Sequence, residues 1–172
     1  MLFRSMAISM YDASVPQFKK MLGNLVAILK KAQEHSQTTK VDEKVFLQAR
    51  LFPNMFDLTK QVQIACDQAK NGLARLAGLE APKFEVQEAS FNEVLELIAK
   101  TITFIDSISA EQLNGADAKE IKFNIGEWKF EFVGNQYLLT WIIPNFYFHI
   151  TTAYNLLRHN GVEIGKADYL GG

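Results

Sequence analysis

Cysteine is nearly absent from the chain. One thiol, Cys66, among 172 residues cannot close an internal disulfide, so a disulfide-stapled fold is excluded. With 10 glycines and 4 prolines the chain is neither collagen-like nor low-complexity, and it holds only three histidines. Charge of one sign is also missing. Against 18 Lys and Arg stand 19 Asp and Glu, a formal net charge of -1 that excludes a strongly basic nucleic-acid binder and an acidic tail protein. No hydrophobic run is long enough for a membrane. The most apolar stretch, YLLTWIIPNFYFHI from Tyr137 to Ile150, falls short of the roughly 20 residues a span needs, and Pro144, Asn145 and His149 interrupt it. The opening MLFRSMAISMYD has neither an apolar signal-peptide core nor a cleavage site after one. These absences place the protein in the cytoplasm.

What is present is a 48% hydrophobic chain, long enough to bury one sizeable core as a single domain over residues 1–172. The apolar residues recur mostly at helical spacing. Val15, Phe18, Leu22, Leu25, Leu29 and Ala32 form one stripe of a first helix from about Val15 to Glu34, with Ser14 as its cap and Pro16 in its first turn. After the polar HSQTTK, Asp42 opens a short capped helix. A second long helix begins near Asn54 and ends before Gly78, with Leu58, Val62, Ala65 or Cys66, Ala69, Leu73 and Leu76 on its stripe. A third starts at Ser90 and Glu93, which have capping-box spacing, and carries Phe91, Val94, Ile98, Thr101, Ile105 and Ile108.

The period then changes to two. Ile121, Phe123 and Ile125 alternate with polar residues, as do Trp128, Phe130 and Phe132, around a Gly126-Glu127 turn of the Gly-first type. A hairpin of this size is unstable alone and should lie on the helices. A fourth helix runs from about Asn135 to His159, with a kink expected at Pro144. The fold class is thus all-α, a four-helix bundle with a small β-hairpin between its third and fourth helices. About 12 residues join the second and third helices, enough to span roughly 40 Å and so return along the bundle.

Few residues can carry chemistry. No phosphate loop, C-x-x-C, H-E-x-x-H or G-x-S-x-G is present. His35 sits in a polar break, and His159 lies in a last helical turn, where a cation complements the helix end. His149 differs, because it lies in the most apolar helix. Asn145, His149 and Thr152 share a face by the three-and-four rule and define a polar pocket if that face turns inward. The plainer alternative is that His149 satisfies a neighbouring buried group, since a zinc site takes three or more protein ligands. Cys66, on the second stripe, reads as inert packing. Of Phe146, Tyr147 and Phe148, one must face away from the core, where with Trp141 and Tyr154 it forms a patch for a ligand or a second copy unless the hairpin covers it. Without interleaved basic residues, it is no nucleic-acid platform.

The last helix and tail, NFYFHITTAYNLLRHNGVEIGKADYL, resemble the closing helix of the DinB/YfiT-like superfamily of four-helix bundles. The segments SMYDASVPQF and LQARLFPNMFDLTKQVQIACDQAK resemble one bacterial branch whose function is unassigned. The resemblance implies up-down-down-up topology, a homodimer, and in many members zinc or nickel held by one histidine of the second helix and two of the fourth. Some members are thiol-dependent transferases or isomerases. DNA binding is not implied. His149 falls on the second fourth-helix ligand position, but the first is Asn145. The second-helix position falls on Gln63, with Cys66 and Asp67 as alternatives in the same stretch. Two amides and one imidazole hold zinc weakly. The expected function is therefore a degenerate bundle that binds a small molecule or itself. The alternative is an enzyme in which Gln63, Asn145 and His149 polarise a substrate, with His149 as general base or residual metal ligand.

Overall fold

The computed structural model describes residues 8–86 and 90–172; residues 1–7, read above for an export signal, lie outside them. Its elements in chain order are α1 (Val15–Thr39), α2 (Glu43–Leu47), α3 (Leu58–Ala77), α4 (Phe91–Asp106), two 3₁₀ turns (Glu111–Leu113 and Ala116–Ala118), β1 (Glu120–Ile125) and β2 (Trp128–Val133). Then follow α5 (Gly134–Gln136), a π-helical turn (Tyr137–Ile142), α6 (Ile143–His159) and α7 (Lys166–Leu170). Every residue of the three predicted helical stripes is buried, and their apolar members join one core. Among the described residues no helix is long and apolar enough to cross a membrane.

Cross-helix contacts give the direction of each helix. Lys19 pairs with Asp106 at one end of the α1–α4 seam and Gln33 donates to Asn92 at the other, so these two run antiparallel. Gln61 meets His149 and Arg75 meets Tyr137, so α3 is antiparallel to the chain from α5 to α6. Phe18 packs on Phe146 at 4.5 Å and Gly161 lies against His35, which makes α1 and α6 parallel. α3 and α4 must then be parallel too, and the bundle is up-down-down-up. A 20-residue helix is about 30 Å long, a distance that the dozen or so residues between α3 and α4 suffice to retrace.

Helix starts depart from expectation where a local cap intervenes. α3 begins at Leu58 rather than near Asn54, because Asp57 accepts from the Lys60 N–H at 2.9 Å and residues 51–55 form turns around Pro53. Ser14 does not cap α1: its hydroxyl donates back to the Met10 carbonyl at 2.5 Å. Ser90 caps α4 as expected, and Glu43 of α2 accepts from the Phe91 N–H at 3.0 Å. Gly78, at φ +73°, closes α3 in the left-handed conformation.

The hairpin pairs Ile121 with Phe132, Phe123 with Phe130 and Ile125 with Trp128. Gly126 alone of the two turn residues has positive φ, at +57°, matching the Gly-first turn. Phe130 packs on Trp141 at 4.7 Å and Phe123 on Tyr137 at 5.4 Å, so the hairpin covers the aromatic start of the fourth helix. Arg75 lies over the Phe123 ring at 4.4 Å, and Lys119 donates to the Arg75 and Leu76 carbonyls at the end of α3. Of the two alternating apolar rows, the outer pair Ile125 and Trp128 stays exposed, as does Val133 at the root of the hairpin.

Pro144, expected to kink the interior of a fourth helix, lies in the first turn of α6 directly after the π turn. The Ile143 N–H reaches back to Leu138, and the longer loop of the π turn accommodates the missing proline N–H. α7 was not anticipated. It straps the parallel α1–α6 groove through Lys31–Asp168 at 2.6 Å, Asn24 to the Tyr169 carbonyl at 2.9 Å and Tyr169 to Thr151 at 3.0 Å.

The junction of hairpin and fourth helix tolerates no side chain at Gly134, where an added Cβ would strike the Ala116 carbonyl oxygen. Gly134→Ala should cost about 1–3 kcal/mol of stability, the usual penalty of overpacking. Urea unfolding measures it, with Gly23→Ala, whose Cβ meets nothing within 4 Å, as the control.

Candidate functional site

α3 brings a polar residue onto its apolar stripe at Gln61, three residues after Leu58 and four before Ala65. It is 1% exposed. Its amide Nε2 donates to the Phe56 carbonyl at 3.1 Å, and its Oε1 lies 2.6 Å from Nδ1 of His149 on α6. His149 is 8% exposed, and burial holds its imidazole below the ordinary histidine pKa of 6.5. Among the described residues, nothing in the protein bonds its other ring nitrogen, Nε2, and no unpartnered side-chain nitrogen is sealed from solvent. A neutral imidazole with one open nitrogen can accept a hydrogen bond or a proton. Phe148, the outward-facing member of the aromatic run, meets the His149 ring edge-on at 5.1 Å; Phe146 is buried and Tyr147 half-buried.

The other residues singled out from sequence do not converge on His149. Asn145 turns its amide to the Trp141 carbonyl one turn back, at 2.7 Å, within the helix disturbed by Pro144. Thr152 likewise donates to the Phe148 carbonyl at 2.7 Å. Gln63 accepts from Lys60 at 3.1 Å. Cys66 is fully buried beside Thr101, and desolvation pushes its thiol up to about 12, which leaves it a packing residue at neutral pH. Asp67 pairs at 3.1 Å with the buried Lys70, whose ammonium lies 4.8 Å from the centre of the Phe84 ring. The residue that reaches His149 is Gln61, which sequence reasoning passed over. A lone amide interrupting the Leu58–Ala65 spacing was the available signal.

These donors do not fit a three-histidine metal centre. Among the described residues no group of three or more His, Cys, Asp or Glu could hold a metal ion. Asn145 is committed to its own helix, and Gln61 Oε1 to the imidazole. One imidazole nitrogen remains, where a zinc site takes at least three protein ligands.

The bundle, its inserted hairpin and a histidine on the inner face of the closing helix define a DinB-like protein. A crystal structure of a DinB family member protein from Shewanella denitrificans is 45% identical to this chain, covers 94% of it and 92% of its own length, and superposes with a TM-score of 0.87. Residues 10–170 match a family described as a domain of unknown function, DUF1993. No curated protein matches the sequence. The chain belongs to the DUF1993 family of DinB-like bundles.

The depressed His149 pKa gives stability a definite pH dependence. Below about pH 6.5 the unfolded chain takes up a proton at this histidine before the folded one does, so stability falls as the pH drops from there towards the folded-state value. Above that range both forms are neutral and the group contributes no slope. Unfolding titrations between pH 7.5 and 5 should show a steeper acid-side loss in the parent than in His149→Gln. Equal slopes would show that the imidazole titrates normally in the fold.

Proposed function

We propose that this protein binds a small molecule at the His149–Gln61 end of the α3–α6 seam, as a DinB-like bundle whose ancestral ligand positions now form hydrogen bonds within the protein. The observation that supports this is the pairing of a neutral, nearly buried imidazole with an amide, one ring nitrogen being left open. The exposed rings of Phe148, beside the imidazole, and Phe56, whose carbonyl receives Gln61, supply apolar surface at both ends of this contact chain. The competing reading, a metal- or thiol-dependent transferase or isomerase, rests on the same nitrogen acting as general base or as a residual zinc or nickel ligand.

Metal analysis of the purified protein separates the two. Zinc and nickel are expected well below one equivalent, unchanged in His149→Ala. A stoichiometric metal lost in that variant would overturn the proposal in favour of the metal enzyme.

The protein is further proposed to be a homodimer. An exposed apolar surface is available at the Ile125–Trp128 end of the hairpin, where Trp128 is 75% exposed. Light scattering should give twice the chain mass of 19.5 kDa, and Trp128→Glu should lower it towards the monomer. A monomer at high concentration refutes this assignment.

A further inference from the structure

The contact chain Phe56–Gln61–His149 admits one arrangement of protons. The Phe56 carbonyl can only accept, so the Gln61 amide must present its Nε2–H to it at 3.1 Å. That orientation sets Oε1 against His149 Nδ1 at 2.6 Å. The flipped amide would place two acceptor oxygens face to face at Phe56. An amide oxygen only accepts, so Nδ1 carries the imidazole proton and Nε2 holds the lone pair. Both side chains are more than nine-tenths buried, which keeps water from replacing either partner.

We propose that Gln61 is a positioning residue that locks His149 as the Nδ1–H tautomer, so that the site selects ligands donating a hydrogen bond to Nε2. The lock is a property of the protein alone; the selection rests on the small-molecule reading above. A ligand that offers only acceptors, such as a carboxylate, meets a lone pair and is rejected while the imidazole is neutral. A hydroxyl or thiol carried on an apolar ring fits both the nitrogen and the exposed Phe148 ring beside it. The ligand class is therefore a neutral, ring-bearing hydrogen-bond donor. Gln61 acts on it only through His149.

Long-range proton–nitrogen correlation spectra of the full chain at neutral pH test the lock. His149 should show a pyrrole-type Nδ1 and a pyridine-type Nε2; the reverse assignment overturns the proposal. In Gln61→Met the acceptor is gone, and both resonances should move towards a tautomer average. A folded variant with parent-like shifts would remove Gln61 from the argument. If Gln61→Met does not fold, the parent's own Nδ1 proton serves: hydrogen-bonded to the amide oxygen it should exchange with water far more slowly than the ring protons of the exposed His159, and equally fast exchange counts against the lock. Titration with phenol and with anisole, the same ring without the donor, tests selection. Phenol should shift the Nε2 resonance several-fold more than anisole at equal concentration, and equal shifts overturn the selection. If neither moves it while the parent shows the Nδ1–H form, the small-molecule reading and the selection fail together and the lock stands.

Discussion

The seam between α3 and the helix running from α5 to α6 organises this protein. Gln61 meets His149 at one end, and Arg75 meets the Tyr137 hydroxyl at 2.9 Å at the other. Between them Gly72 brings the α3 backbone against Ile142, where a Cβ would sit only 2.7 Å from a side-chain carbon. This close approach aligns the polar pair at one end with the aromatic junction at the other. The hairpin depends on the same seam, since its root is tied to the carbonyl end of α3 by Lys119 and its phenyl rings rest on Tyr137 and Trp141. The candidate site and the inserted hairpin are thus opposite ends of one contact line.

Much of this architecture could be read from residue spacing. The stripes starting at Val15, Leu58 and Phe91 are buried throughout because a strict three-and-four pattern leaves a helix only one face to bury. The hairpin was legible for the same reason at period two, with Gly126 marking its turn. What spacing could not show was the partner choice of polar side chains. Ser14, Asn145 and Thr152 each have a carbonyl within one turn that competes with any distant partner, and in the folded chain the near carbonyl wins. Gln61 instead reaches beyond the start of its helix to the Phe56 carbonyl and across the seam to His149. α7 escaped notice because five residues are too few to display a period.

Kinship with the DinB-like bundles carries shape, and a shared fold does not by itself carry the chemistry of a site. Asn145, one turn before His149 on the same helix, spends its amide on stabilising the turn beside Pro144. An amide suits that task, since it can donate to the carbonyl of Trp141.

The side-by-side parallel helices carry an electrostatic consequence. Two parallel neighbours place like poles of their macrodipoles together, an arrangement that is self-repelling unless charges of the opposite sign sit at each pole. The amino-terminal poles of α3 and α4 are met by the carboxylates of Asp57 and Glu43, while the ammonium of Lys119 occupies the carbonyl pole of α3. These three residues act as small counterweights to the helix poles. They offset the adjoining amino-terminal poles of α3 and α4 and the carbonyl pole of α3, in a chain whose total charge is close to zero.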